Sequence, residues 1–323
     1  TSLETISETE EGIAALIENE NPVISDLYSM AKSEDKNVSQ EREITKICKT
    51  IANKMTPKLV EMAKKSTTEN RASISSVMSQ VASTEGGPKA LVAAGAIPAL
   101  AAMAGQPDNK EQENQAIALA MANISNSNVG IESLIENKAI SVLNSMSNKN
   151  WLVDTSISQI AKNILSFNAM DKFISQVRLD DPSEQQNFVN TISLMLTGNG
   201  NKTDTEYVNL LIENDRAINM LVEVTKNSAP ENQASITLVM RQVASTEDGA
   251  KALVDAGAVP ALVNMAVQPD IIVSLAIAIE RTEGGKDALV AAGAIPVLEN
   301  LAQSKQNSDQ LNSKINRLLR LII

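Results

Sequence analysis

The sequence has no histidine, a single cysteine and only six aromatic residues among 323. Without histidine there is no imidazole for general acid–base chemistry, for a Ser-His-Asp or Cys-His nucleophile, or for a His-ligated zinc site. Cys48 alone can form neither an intrachain disulfide nor a CxxC pair. One Trp, two Tyr and three Phe are few for a β-sandwich, a barrel or a protein that stacks nucleotides. Long hydrophobic runs are missing too: none approaches the roughly 20 residues that cross a bilayer, and nothing resembles a signal peptide. Positive charge is short, since 28 Lys and Arg stand against 39 Asp and Glu, a formal charge of −11. Such a surface repels phosphate backbones and anionic membranes, which argues against nucleic-acid and membrane roles. A cytoplasmic location is expected, with the nucleus as the other compartment. The chain begins at Thr1 without a Met, as expected of a trimmed or processed chain. Sequons at Asn37, Asn123 and Asn201 say little about secretion, because such triplets arise often by chance.

What the sequence does have is repetition. Residues 70–104 and 232–266 are identical at 25 of 35 positions, and a third copy, TEGGKDALVAAGAIPVLENLA, starts at Thr282. Weaker copies, LIENKAISVL at 134–143 and LIENDRAINML at 211–221, lie between the two strong ones. Further fragments, 16–27 and 56–63, fit the same template near the N-terminus. The residue that follows AGAI or its equivalent recurs at Pro57, Pro98, Ser141, Ser175, Asn219, Pro260 and Pro296, with spacings of 41, 43, 34, 44, 41 and 36. A period near 40 with apolar residues at helical spacing (Ile74, Val77, Met78, Val81) predicts stacked helices rather than separate globular domains.

Each unit can be read locally. Ser83 and Thr84 are placed to cap a short helix through KALVAAG. Gly95 suits a left-handed exit from it, and Pro98 fits the first turn of the next helix. A third helix, NQAIALAMANIS, follows a polar linker. None of the three can bury its apolar stripe alone, so neighbouring units must supply the core.

The phrase Ala94-Gly95-Ala96-Ile97-Pro98-Ala99-Leu100, followed by Ala118-Leu119-Ala120-Met121-Ala122-Asn123-Ile124, resembles the armadillo repeat. The resemblance is strong over 70–145 and 210–302 and implies an all-α, right-handed solenoid of seven to eight units with third helices lining a concave groove. In peptide-binding members an Asn late in each third helix holds the backbone of an extended partner. The matching positions here are Thr50, Gln80, Asn123, Asn163, Gln242 and Ala278, with Met195 a looser match. Only Asn123 and Asn163 keep the family's residue, although a Gln offers the same amide donor and acceptor. Where importin-alpha-like members carry a Trp four residues earlier, this chain has Ser76, Leu119, Gln159 and Leu238, which points away from nuclear-signal binding.

Other features have two readings each. The amide row is either a peptide clamp or a set of ordinary helix-face residues that satisfy neighbouring loops. Trp151, Phe167, Phe173 and Phe188 cluster where the repeat is least regular. They are either a partner hot spot or, the preferred reading, bulky fillers for the volume of a missing helix. The acidic residues 1–20 and the lysines Lys46 to Lys65 read as solvated faces, and the TEGG turns as helix caps rather than phosphate loops. Cys48 reads as a small core residue. The last segment puts Leu311, Ile315, Leu318, Leu319 and Ile322 on one stripe and stops on a bare apolar end, which suggests a continuing chain or end-to-end packing.

The sequence therefore predicts one repeat domain over 1–323: irregular repeats at 1–69, regular ones at 70–167, an irregular joint at 168–209 and regular repeats again at 210–323. The expected function is a non-enzymatic scaffold, without cofactor or metal, that holds a protein or extended peptide, basic by charge complementarity. Gln80, Asn123, Asn163, Gln242, Thr50 and Trp151 are the expected contact residues. The alternatives are an assembly subunit that uses its ends and convex face, or a small-GTPase or cytoskeleton regulator.

Overall fold

The computed structural model describes residues 55–147, 151–197, 203–265, 273, 276–277, 279–282, 284–304 and 307–323. Thr50, Cys48, Ala278 and the acidic residues 1–20 lie outside them. Every regular element among the described residues is a helix. No single one is long and apolar enough to cross a membrane. The chain divides into two compact units, Thr1–Ala169 and Met170–Ile323, and the division falls inside the joint at 168–209.

In the first unit the helices α1 (Arg71–Ala82), α2 (Gly87–Ala93), α3 (Ala96–Ala104), α4 (Glu111–Ile124), α5 (Asn128–Glu136), α6 (Ala139–Ser147) and α7 (Trp151–Ser166) follow in order. Like packs on like: α4 lies against α1 and α7, α2 against α5, and α3 against α6. The repeat is thus a triplet of helices whose core is shared with the next triplet. Ile74, Met78, Leu91, Ile97, Leu100, Ile117 and Met121 are sealed from solvent between neighbouring helices.

Two corners define each triplet. At the first, between a first and a second helix, Gly95 has φ 82° and the chain turns by 78° between α2 and α3. Gly257 and Gly293 repeat the corner with φ 76° and 72°. In the weaker copy Lys138 takes the same place at φ 52°, a conformation that costs a residue with a Cβ on the order of 1 kcal/mol. In LIENDRAI the inserted residue changes the solution: Asn214 stays at φ −103° and its side chain accepts from the Ala217 N–H.

The second corner, from a third helix into the next first helix, needs space instead. A Cβ built on Gly87 would fall 1.8 Å from the Val81 carbonyl oxygen; on Gly130, 1.9 Å from that of Ile124; on Gly249, 2.0 Å from that of Val243; on Gly285, 1.8 Å from that of Ile279. In each case the carbonyl belongs to the residue six earlier, and a hydroxyl three residues before the glycine completes the turn. Ser127 Oγ accepts from Gly130 N–H at 3.1 Å and Thr246 Oγ1 from Gly249 N–H at 3.0 Å. Thr84 Oγ1 donates to Val81 C=O and Thr282 Oγ1 to Ile279 C=O, both at 2.7 Å. Thr84 is therefore not the N-cap expected from the sequence: in TEGG the cap of α2 is Gly86 at φ 81°. The extra glycine lets the backbone make the turn, so the hydroxyl bonds to the preceding helix alone, whereas Ser127 does both and also donates to Ile124 C=O at 3.1 Å. TEGG acts as a helix corner, as its lack of a phosphate-loop spacing predicts.

The second unit contains α8 (Met170–Ile174), α9 (Pro182–Thr197), α10 (Thr205–Ile212), α11 (Asp215–Lys226), α12 (Gln233–Val243), α13 (Glu247–Asp255), α14 (Ala258–Asn264), α15 (Gly285–Ala291), α16 (Ala294–Ala302) and α17 (Asp309–Ile322). Its first repeat is short of a helix. The five-residue α8 packs on α11 as a second helix does, and no first helix precedes it in this unit. Phe173 and Phe188 fill the space, stacked with centroids 5.9 Å apart and both buried. The last helix buries Leu311, Ile315, Leu318 and Ile322, as its stripe predicts, and leaves Leu319 half-buried.

Polar clamps fasten the loops before α4 in the first unit and before α9 and α12 in the second. Arg71 Nη1, on a side chain 7% exposed, donates to Asp108 Oδ1 at 2.7 Å and to Asn109 Oδ1 at 2.8 Å. Gln185 does the equivalent in the second unit, donating to the carbonyls of Leu179 and Asn227 and accepting from Ala229 N–H. The Arg71 guanidinium, aided by the Thr68 hydroxyl, holds the Asp108 carboxyl down to about 2 from its ordinary 3.8.

Two outcomes are expected. Gly130→Ala should lower the unfolding midpoint, by about 1–3 kcal/mol of stability or more, because the methyl meets backbone and not a movable side chain. Gly105→Ala, whose Cβ would meet nothing closer than 3.6 Å, should not; thermal unfolding followed by circular dichroism compares the two. The second concerns acid. A depressed carboxylate stabilises the fold above its unfolded pKa and loses that contribution as pH falls through the folded one. The midpoint gap between wild type and Asp108→Asn should therefore be widest above pH 4 and close as pH falls from about 4 to about 2. A gap that stays constant over that interval would refute the clamp.

Candidate functional site

The third helices carry the positions that the sequence singles out, so the site is built on α1, α4 and α7 in the first unit and on α9 and α12 in the second. Helical periodicity puts Ser76 and Gln80 of α1, Leu119 and Asn123 of α4, and Thr155 and Gln159 of α7 four residues apart on one side of each helix. Ser76, Leu119, Thr155 and Gln159 are exposed, and Gln80 and Asn123 are half-buried.

The amides divide into two kinds. Three of them reach back to the preceding third helix. Asn123 Nδ2 donates to Ser79 Oγ at 2.7 Å. Asn163, 9% exposed, donates through Nδ2 to Ser125 Oγ at 2.8 Å and Asn126 Oδ1 at 3.1 Å, and its Oδ1 accepts from Gln159 at 3.1 Å. Gln242, 7% exposed, makes a weaker contact through Nε2 to Ser193 Oγ at 3.4 Å, and its Oε1 is buried without a donor. Each link joins an amide on one third helix to a serine on, or just past, the third helix one repeat earlier. Asn163 is fully spent in this way, whereas Asn123 keeps a free Oδ1. Gln80 is the second kind: among the described residues its side chain has no hydrogen-bond partner. Thr50 lies outside the described residues.

Trp151 departs from the preferred sequence reading. It is 65% exposed at the start of α7, so it fills no joint. Phe173 and Phe188 are the fillers, and the clustering of aromatics in sequence did not distinguish the two roles. Trp151, Thr155 and Gln159 fall at i, i+4 and i+8 and form one stripe with an indole at its end. Leu119, 52% exposed on the neighbouring third helix, is the other large apolar group on this side.

The second unit has a groove of about 840 Å³ between its third helices, a ligand-sized cleft. Ser193 and Thr197 of α9 form one wall, Leu238, Arg241 and Gln242 of α12 another, and Ile277 and Arg281 a third. Of the sequence-derived positions among the described residues, Gln242 and Leu238 line it. Arg241 and Arg281 were legible as a pair, since forty residues, one repeat, separate them. A search for amides alone passes over them. Among the described residues no three Asp, Glu or Cys side chains converge to hold a metal ion.

No protein-family model matches the chain, and no curated protein matches it. Among solved structures, a computationally designed armadillo repeat protein for modular peptide recognition is 19% identical, covering 82% of this chain and 99% of its own at a TM-score of 0.37. A designed armadillo repeat protein in complex with the peptide (KR)4 is 22% identical, with 83% and 99% covered and a TM-score of 0.37. An engineered protein is 19% identical, with 83% and 98% covered and a TM-score of 0.36.

The buried and the free amide should behave differently on truncation. Asn163→Ala should cost about 0.5–1.5 kcal/mol, because it removes the buried hydrogen bond to Ser125, whose hydroxyl keeps its bond to Ala122 C=O. Gln80→Ala should leave the thermal midpoint unchanged. Equal losses would show that Gln80, too, is structural. With its triplets of helices, glycine corners and like-on-like packing, the chain has an armadillo-like, all-α repeat fold.

Proposed function

We propose that this protein is a non-enzymatic scaffold that holds an extended partner segment along the faces of its third helices. The carrying observation is the Gln80 amide, half-buried and without a hydrogen-bond partner among the described residues, beside exposed Ser76, Leu119 and Gln159 on consecutive third helices. An extended peptide has unpaired N–H and C=O groups along its length, and amide side chains can satisfy both. Trp151 and Leu119 supply exposed apolar area on the same helices, where aromatic anchors contribute most to binding. Among the described residues, the carboxylates whose pKa departs from the ordinary value, Glu61, Asp108 and Asp181, are all shifted down by hydrogen-bond donors. A carboxylic general acid needs the opposite shift, so these groups suit ion pairs rather than proton transfer.

The test is selection of peptides from a random 12-residue phage library on the full chain, followed by fluorescence anisotropy of the selected sequences. Leu119→Glu with Gln80→Ala in the first unit, or Ser245→Tyr in the second, should weaken binding by roughly tenfold or more. Lys89→Ala, exposed on the first helix α2, should not. If no peptide is selected, or if selected peptides ignore both sets of substitutions, the third-helix faces are not the working surface.

A further inference from the structure

Two arginines line the groove of the second unit, in a chain whose net charge is −11. Among its described lining residues the ionisable ones are Arg241, Arg281 and Glu247. Arg71, Arg178 and Arg216 each have a carboxylate partner, whereas among the described residues Arg241 and Arg281 have no ion pair or side-chain hydrogen bond, and both are exposed. Each does part of its work locally, because a cation near the end of a helix opposes the helix dipole. That role uses charge alone and leaves the five N–H donors of each guanidinium unspent.

Two further features give the groove a direction of preference. Beside the arginines lies Gln242, nine-tenths buried, whose Oε1 has no donor; a backbone N–H is the group that would complete it. The walls are rich in hydroxyls, Ser193, Thr197 and Ser245 among them, which donate or accept as a peptide backbone requires. Long nucleic acids fit poorly, since a polyanion meets the repulsion of the whole acidic surface. A short segment carries few charges and meets only the local pair.

We infer that this groove binds an acidic peptide segment, with Arg241 and Arg281 each taking a carboxylate and Gln242 meeting the backbone between them. This rests on the scaffold reading above and names the partner's chemistry for the second unit. It departs from the basic partner that the net charge alone suggests. Adjacent packed helices stand about 8–10 Å apart and an extended chain rises about 3.3 Å per residue with alternating side-chain directions, so the two carboxylates should lie about two or four residues apart, on one face of the peptide.

The experiment uses the full chain and two fluorescein-labelled 12-residue probes of alternating Glu and Ser or alternating Lys and Ser. Anisotropy should show the Glu-Ser probe binding more tightly than the Lys-Ser probe, and more weakly as salt rises. Arg241→Gln or Arg281→Gln should each cost roughly tenfold, and the double variant more, as expected for loss of charge-assisted hydrogen bonds. Both side chains are exposed, and circular dichroism verifies that the variants keep their helices. Glu-Ser binding that is unchanged in the double variant would overturn the inference. So would its absence while phage-selected neutral or basic peptides bind, which leaves the scaffold standing. If no peptide of any charge binds, both readings fall.

Discussion

At four third-helix ends a carbonyl oxygen sits where a side chain on the next helix would have to be. Residues 87, 130, 249 and 285 are glycine because their Cβ would land about 2 Å from that oxygen, the carbonyl six residues back. This close approach sets the path of the chain from one triplet into the next. The stacking of first on first, second on second and third on third helices depends on it, because each triplet can share a core with the next only if it enters at that angle. The hydroxyl three residues earlier serves the same corner in two ways. With one glycine it caps the new helix, Ser127 also donating back to the old one, and with two it only bonds back. One steric constraint is thus met by two hydrogen-bonding arrangements.

Much of this was legible in the residues. The AGAIP corner announced a left-handed glycine, and Gly95, Gly257 and Gly293 have it. The third-helix period was visible from Ile74, Met78 and Val81, all of which are buried. The weaker copies were harder because other residues solve the same geometry. Lys138 accepts a strained backbone, and Asn214 replaces the corner with a side-chain cap. At Ser83-Thr84 local propensity correctly found a turn but put the cap at the wrong residue, since a second glycine removes the need for a hydroxyl cap.

The candidate site was less legible, because exposure is decided by neighbours rather than by residue type. Asn123 and Asn163 occupy equivalent positions, yet one keeps a free carbonyl and the other is bonded at both ends. The difference is Gln159, four residues before Asn163 on its own helix, where α4 has Leu119. Trp151 and Phe188 are both large aromatics in an irregular stretch, but one is 65% exposed and the other 1%. The arginine pair escapes notice for another reason. Net charge averages over the surface, whereas a ligand in a groove meets only the groups that line it.

The glycine corner also bears on how such a chain could have grown. Every residue that makes the corner, from the carbonyl through the hydroxyl to the glycine, lies within seven consecutive positions, so a copied stretch of gene carries its own joint. A duplicated repeat needs no compensating change in the one it follows, provided the incoming helix ends on an ordinary backbone. The two near-identical stretches at 70–104 and 232–266 each contain the whole corner. Sequence drift elsewhere in a repeat can then alter the groove-facing residues while the angle between repeats stays fixed, which separates the inheritance of architecture from the divergence of binding.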